Sequence, residues 1–356
     1  MIRTQDAFEG FAVSTAEGLI FTVKGLVHPP ERLVAYLRYL PDPGGNRERA
    51  GVHYRRVYRF EEQEQILGSR YPIYLSYDPA FGVRLQSVPR SLIRAIYDPR
   101  RRLANIRERG PADPVEAHVL GLADLLQETA RIPAESLGIS GSVLVGLHRE
   151  DSDIDIVIYG EIVCRAAHQA LRRLLDDPAI PLRGPNSEEL AALHASHRPD
   201  TPLSLADFVC LQNRKVNEGR FRGREVFFRF VKRPAEAREH YGDPRFEPLG
   251  SATIQARVMD DEDAIFTPCR YVVEEATFLE GPPVADLCEI VSFRGRFSEQ
   301  VRAGEWAAAR GSLERVIPRS GPAHHRLVVG GRAGDYLLAR RQCRRVTDPR
   351  PLQAGQ

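Results

Sequence analysis

Apolar and polar positions alternate differently in three stretches of the chain. From residue 1 to about 110, the runs GLIFTVKGLV and YPIYLSY predict strands, and PERLVAYLRYL, which begins with a proline, predicts a helix. From 111 to 244, long amphipathic patterns predict helices around short apolar strands. From 245 to 345, short β-like runs separated by Gly and Pro predict a barrel or a sandwich, with one helix near EQVRAGEWAAARGSLERV.

Together these patterns predict an α+β fold for a chain of 356 residues, which is long enough for two or three domains. The prediction has an N-terminal α/β region, a central mixed sheet with helices, and a mostly β C-terminal module, followed by a tail over 346–356. Asp113, Pro114 and Glu116 form a capping-box pattern that predicts a helix start in the central part. Just before it, the basic run DPRRRLANIRERG is either a solvated helix face or linker, or a strip that binds phosphates.

The most informative stretch is GISGSVLVGLHREDSDIDIVIYG, from Gly138 to Gly160. Strand alternation places Asp153 and Asp155 on one face of an apolar strand, where two ionised carboxylates repel each other unless a cation lies between them. Mg²⁺ or Mn²⁺ suits such oxygen ligands, and Gly141 with Ser142 offers accessible amides and a hydroxyl to a phosphate. The alternative is that Ser152 and its neighbours form a turn and the acids are exposed strand residues.

Composition narrows the class of protein. The 50 basic and 48 acidic residues nearly cancel, so bulk charge does not indicate a nucleic-acid binder. Five scattered cysteines without a CxxC pair argue against zinc knuckles and disulfides, and no apolar run predicts a membrane span or a signal peptide. A soluble cytoplasmic protein is expected. Only three basic residues are lysines (Lys24, Lys215 and Lys232), which reflects either a compositional preference for arginine or a need for a compact ammonium at those positions.

The pattern Gly141-Ser142 followed by Ser152-Asp153-Ile154-Asp155 resembles the signature of the DNA polymerase β-like nucleotidyltransferase superfamily. The resemblance extends over roughly 113–233. It implies an enzyme that moves a nucleoside monophosphate from a nucleoside triphosphate to a hydroxyl on an RNA end, a protein or a small molecule. Asp153 and Asp155 would hold Mg²⁺ or Mn²⁺, and Gly141, Ser142 and Ser152 would contact the nucleotide. The basic run modestly favours RNA as the acceptor.

The sequence departs from that family at the third carboxylate, which helps to deprotonate the attacking hydroxyl. Phe227 stands at the expected position, and Glu225 or Asp207 is the candidate replacement. Lys215 and Arg229, in a basic neighbourhood, are candidate phosphate contacts. If no third acid exists, the alternative is a catalytically degenerate protein that binds a nucleotide or RNA with the same fold.

Overall fold

The computed structural model of the protein describes residues 7–197 and 203–340, so the predicted tail over 346–356 lies outside the described residues. The predicted α+β fold is confirmed, with separate antiparallel and mixed sheets and helices gathered mainly on the central one. Among the described helices, none is long and apolar enough to cross a membrane.

The N-terminal unit is an antiparallel sheet with one helix. Its sheet order is β4-β5-β3-β2-β1-β8, with β7 paired to β3 and β6 to β7. The strands are β1 (Ala12–Thr15), β2 (Ile20–Val23), β3 (Arg32–Pro41), β4 (Arg47–Arg49), β5 (Val52–Arg56), β6 (Leu75–Asp78), β7 (Val83–Pro89) and β8 (Ile93–Tyr97), and the helix is α1 (Phe60–Arg70).

The predicted helix over PERLVAYLRYL is wrong, because this segment is strand β3. Its apolar residues fit a helical spacing, but Leu33, Ala35 and Leu37 also alternate, and all three are fully buried. Pairing with β2, β5 and β7 satisfies the backbone along the strand, so tertiary contacts decide between two periodicities that the local sequence permits.

The central unit is a five-stranded mixed sheet, in the order β11-β12-β13-β10-β9, with helices packed on it. Its strands are β9 (Leu137–Ile139), β10 (Ile154–Tyr159), β11 (Leu182–Arg183), β12 (Glu218–Phe221) and β13 (Arg224–Val231). Its helices are α2 (Pro99–Arg109), α3 (Pro114–Ala130), α4 (Gly141–Leu144), α5 (Glu161–Asp176), α6 (Ser187–His197) and α7 (Leu205–Gln212). β10 and β13 run parallel, and the other pairings are antiparallel.

Helix α2 belongs to this central unit, although the boundary predicted near residue 110 assigned it to the N-terminal region. Leu103 and Ile106 of α2 are buried in the same core as α3 and β10. Helix α3 begins as predicted, since the Asp113 side chain accepts a hydrogen bond from the Glu116 amide at 3.0 Å. The N-terminal unit therefore ends near Asp98, the residue that caps α2.

Strand β10 has two apolar faces that pack in different directions. Ile154, Ile156 and Ile158 lie in the core beneath α3 and α5. Val157 and Tyr159 lie in the core of the N-terminal unit. Because side chains alternate along a strand, the face that carries Asp155 is the one that meets the N-terminal sheet.

The C-terminal module is a small barrel. Its strands are β14 (Arg245–Asp260), β15 (Cys269–Glu280), β16 (Leu287–Ser292), β17 (Trp306–Ile317), β18 (His324–Val328) and β19 (Tyr336–Arg340). The ring β14-β15-β16-β18-β17 closes because β14 also pairs with β17, and β16 and β18 are parallel. This is the strand order of the OB barrel.

The predicted helix near EQVRAGEWAAARGSLERV is also wrong, since most of it forms β17. This strand is bonded to β14, β18 and β19. Gly311 is suited to the strand, because a Cβ there would lie 2.4 Å from the Val328 carbonyl oxygen on β18.

Candidate active site

The Gly-Ser turn and the acidic strand lie against each other. The Ser140 amide donates to the Asp155 carbonyl at 2.8 Å, which joins the end of β9 to the start of β10. Gly141 has a φ of +63°, and a Cβ at this position would lie 1.9 Å from Asp155 Oδ2. Only glycine allows the backbone to approach the carboxylate so closely. The structure therefore brings together the two halves of the sequence pattern.

Asp153 and Asp155 interact electrostatically. The pKa of Asp155 is raised to about 6 by burial and by the negative charge of Asp153, which together outweigh the charges of Arg229, Arg56 and Arg38. Without a bound cation, the ionised form of Asp155 is therefore less favourable in the folded protein than in the unfolded chain. A divalent cation shared by the two carboxylates would relieve both the repulsion and the cost of burial.

The two serines of the motif have different surroundings. Ser142 is 1% exposed, and its Oγ is buried without a hydrogen-bond partner among the described residues. Ser152 Oγ accepts from the Arg149 amide at 2.8 Å and so closes the turn that leads into β10. Ser142 has free capacity for a ligand, whereas Ser152 already has a structural bond.

Three arginines from outside the motif hold the segment after Gly141. Arg102 Nε donates to the Val143 carbonyl at 3.0 Å, Arg49 Nη1 to the Val145 carbonyl at 2.9 Å, and Arg47 Nη1 to the Leu147 carbonyl at 2.5 Å. Arg47 and Arg49 belong to β4, so the N-terminal sheet fixes this loop. Leu144, Val145 and Leu147 also pack on that sheet. The sequence carried no signal for these contacts, because their partners are about 40 to 100 positions apart.

The third carboxylate is not at the position next to Asp155. Phe227 is the residue paired with Asp155 in the parallel register. The ring of Phe227 packs on Gly295 of the barrel, since a Cβ on Gly295 would lie 2.6 Å from Phe227 Cζ. Arg229 lies over the same ring at 5.3 Å. A hydrocarbon therefore fills the position where the resemblance implies an acid.

Glu225 and Asp207, the candidate replacements for the third carboxylate, lie on different elements of the central unit. Glu225 and Asp153 each stand one residue before the paired residues Ile154 and Val226, so the register sets them side by side on neighbouring strands. Glu225 is exposed and paired with Arg220 at 3.0 Å. Asp207 is in the first turn of α7, where its amide and carboxylate bond to the capping Ser204. Glu225 is the better placed of the two.

Arg229 and Lys215, the two predicted phosphate contacts, also lie in different parts of the structure. Arg229 lies on the same face as Asp155, and its Nε is buried without a hydrogen-bond partner in the part of the chain that the structure describes. Lys215 is 7% exposed, and its ammonium donates to the Arg296 carbonyl at 2.6 Å. Lys215 thus joins the central unit to the barrel.

Glu9 is a residue that the sequence analysis missed. It is fully buried, and its carboxylate pairs with Arg229 at 2.9 Å and Lys24 at 3.2 Å and accepts from the Gly25 amide at 2.8 Å. Burial lowers the pKa of Lys24 to about 8, against the attraction of Glu9. The rarity of lysine was the one sequence signal for this cluster. Lys24, Lys215 and Lys232 each have a carboxylate partner, which is consistent with a need for a compact ammonium.

A second cluster of possible metal ligands has a structural explanation. Asp113, Glu116 and His148 place ligand atoms within 4.8 Å of one another. However, Asp113 caps α3 and bonds to His148 at 2.8 Å, while Glu116 pairs with Arg102 and Arg109. These carboxylates already have hydrogen-bond partners within the protein, and the cluster acts as a helix cap.

A cavity of about 1080 Å³ lies beside the Gly-Ser turn. Its wall includes Asp155, Gly141 and Arg229 from the central unit, Tyr58 from the N-terminal unit and Arg270 from the barrel. The site therefore opens into a space bounded by all three units, large enough for a nucleotide and part of an acceptor.

Comparison with known proteins shows the family. The chain is 32% identical over 327 residues to "Uncharacterized protein MJ1086" of Methanocaldococcus jannaschii, and the match covers 89% of this chain and 94% of that protein. The chain belongs to the same family as that protein. No protein-family model matches the chain. No solved structure matches it either. The aligned length is greater than any single unit, so the relationship extends beyond the central sheet.

Proposed function

We propose that the protein is a nucleotidyltransferase that depends on Mg²⁺ or Mn²⁺ and transfers a nucleoside monophosphate from a nucleoside triphosphate to an acceptor hydroxyl. The observation that carries the proposal is the contact of Gly141 with the Asp155 carboxylate, beside Asp153 and the unpartnered Ser142 hydroxyl. Two acids that repel each other can bind a cation, and the neighbouring hydroxyl without a hydrogen-bond partner can bind a phosphate at the same site.

In the proposed reaction, Asp153 and Asp155 would hold the metal, and Gly141 and Ser142 would contact the phosphates. The bound ion would neutralise charge on the phosphates as the reaction proceeds. The acceptor oxygen forms a bond to the α-phosphorus as the bond to the β-phosphate oxygen breaks, and pyrophosphate leaves with that electron pair. Glu225 is the proposed acceptor of the hydroxyl proton, because the sheet register puts it beside Asp153.

The barrel, rather than the basic run, favours RNA as the acceptor. The arginines of that run are largely engaged in ion pairs within α2 and with α3. The C-terminal strand order is that of the OB barrel, a fold whose face and loops often bind oligonucleotides. An RNA end remains the acceptor that we propose to test first.

The test is transfer of radiolabel from each α-³²P nucleoside triphosphate with Mg²⁺ or Mn²⁺, with RNA added as acceptor. We expect labelling by the wild type and its loss in Asp153→Ala and Asp155→Ala. Asp151→Ala is the matched control, because Asp151 is an exposed acid of the same turn, paired with Arg149. Equal labelling by all four proteins would overturn the assignment of the metal site.

Phe227 favours a second candidate, a nucleotide- or RNA-binding protein without turnover. Its ring occupies the place of an acid and packs on the barrel. Calorimetry that detects nucleotide binding, combined with no label transfer to RNA, protein or water, would select this alternative.

A further inference from the structure

A β-bulge in strand β3 directs an arginine toward the site. Tyr39 pairs with Ile20 and Leu37 pairs with Phe21, so Arg38 is an extra residue between two consecutive pairs. Bulges commonly redirect a side chain next to an active site. Arg38 lines the cavity together with Asp155 and Gly141.

A second arginine joins it through an aromatic ring. The guanidinium carbons of Arg38 and Arg56 lie 4.5 and 4.1 Å from the centre of the Tyr58 ring. Tyr58 is 57% exposed, so the ring stands at the surface of the cavity rather than in a core. The ring therefore holds two like charges close together.

Within residues 7–197 and 203–340, neither guanidinium forms an ion pair with an acid. Arg56 Nε is buried and has no hydrogen-bond partner within these two ranges. Burial, together with the charge of Arg56, lowers the pKa of Arg38. Asp155 attracts both guanidiniums electrostatically, but one carboxylate beside two partly buried cations leaves positive charge that suits an anionic ligand.

We propose that Arg38 and Arg56, positioned by Tyr58, bind the β- and γ-phosphates of the nucleoside triphosphate, so that the N-terminal unit completes the nucleotide site. The identity of the ligand rests on the proposed function, whereas the presence of an oligophosphate site does not. A nucleoside triphosphate brings about four negative charges beside Asp153 and Asp155, and paired guanidiniums offer planar, two-pronged contacts to phosphate oxygens.

The probe is inorganic tripolyphosphate, titrated calorimetrically into the full chain with and without Mg²⁺. We expect Arg38→Gln and Arg56→Gln each to weaken binding about tenfold, as for the loss of a charge-assisted hydrogen bond. Arg38→Lys should recover part of the loss. Arg84→Gln is the matched control and should stay within about twofold, because Arg84 is an exposed cavity-lining arginine of the same sheet that is not among the charges acting on Asp155.

Two further variants locate the site and the positioning role. Without Mg²⁺, Asp155→Asn should strengthen tripolyphosphate binding several-fold, because it removes a negative charge beside the anion. Tyr58→Leu should weaken binding while the melting temperature stays unchanged, and Tyr58→Phe should restore it, since the ring face is what holds the guanidiniums.

Each outcome separates this inference from the proposed function. Tripolyphosphate binding that is equal in the wild type and in both Arg→Gln variants, or absent from the wild type at millimolar concentration, overturns the inference. Loss of binding in those variants without label transfer by the wild type supports the oligophosphate site and counts against the transferase. Thermal melts of every variant distinguish lost contacts from lost folding.

Discussion

Two groups of arginines in this molecule have opposite electrostatic surroundings. In helix α2, the arginines that form ion pairs have their acids at the N-terminal cap of the same helix or on α3. Arg100 pairs with Asp98, and Arg102 and Arg109 share Glu116. The dense basic run of the sequence is therefore largely neutralised inside the central unit.

Arg38 and Arg56, by contrast, lie on β3 and β5 and contact an aromatic ring rather than an acid. They are 18 positions apart in the chain, and no single basic run includes both of them. A local density of arginines in the sequence therefore says little about ligand binding. The decisive property is whether the fold places an acid within ion-pairing distance, and only the paired strands reveal that.

We expect the largest effect among the ion-paired arginines of α2. Glu116 is 1% exposed, and Arg102, Arg109 and the Ala112 amide all donate to it. Replacing it by alanine leaves two guanidiniums without their acid, so we expect Glu116→Ala to lower the free energy of unfolding by about 3–5 kcal/mol. Urea unfolding measures this, with the exposed Glu108→Ala of α2 as a control expected to change stability by less than about 0.5 kcal/mol.

The same ion pair gives stability a pH dependence of known sign. Burial raises the pKa of Glu116, but the hydrogen bonds from Arg109 and Ala112 and the charge of Arg102 outweigh it, so the net pKa is lowered. The contribution is complete above the ordinary glutamate pKa and is lost as the pH falls through the lowered value. A loss in Glu116→Ala that stayed constant down to the acid range would contradict this explanation.

The sequence predicted local features of the site well, and it failed where distant strands meet. The turn at Gly141, the strand with Asp155 and the cap at Asp113 depend on neighbouring residues, and the structure has all three. Strand β3 was predicted as a helix, because its apolar spacing satisfies both periods and long-range pairing decides.

Contacts between units were beyond reach for a related reason. Glu9 meets Arg229 across 220 positions, and Arg47 meets the Leu147 carbonyl across 100. Nothing in either local segment specifies its partner. The bulge at Arg38 likewise exists only in the pairing of β3 with β2. A single sequence thus indicated the chemistry of Asp153 and Asp155 but not the cations around them.

We expect an intermediate effect at Asp155, a carboxylate that lies near arginine side chains but also beside a second carboxylate. The raised pKa, about 6, means that the folded protein holds this proton more strongly than the unfolded chain does. Its stabilising contribution is present below the ordinary aspartate pKa and lost as the pH rises through about 6. Because asparagine mimics the uncharged form, Asp155→Asn should raise the free energy of unfolding at pH 7.5, without divalent cations, by about 1–3 kcal/mol.

Urea unfolding in EDTA tests this expectation, and Mg²⁺ should then stabilise the wild type more than the variant. Asp151→Asn is the control, since Asp151 is exposed and should change stability little. If Asp155→Asn is less stable than the wild type, the carboxylate is already satisfied by Arg229, Arg56 and Arg38, and the need for a metal disappears.

The smallest effect is expected from the exposed part of the basic run. Arg107 pairs with Asp124 at the surface, so Arg107→Gln should change stability by less than about 1 kcal/mol. It should leave tripolyphosphate binding within about twofold, in contrast to the tenfold loss for Arg38→Gln. Anisotropy of a labelled oligoribonucleotide at two salt concentrations extends the comparison to RNA. A phosphate contact at Arg107 would reduce the salt slope by about one in the variant. An unchanged slope places the phosphate-binding charge elsewhere, since a cation already neutralised by Asp124 releases few counterions from an approaching strand.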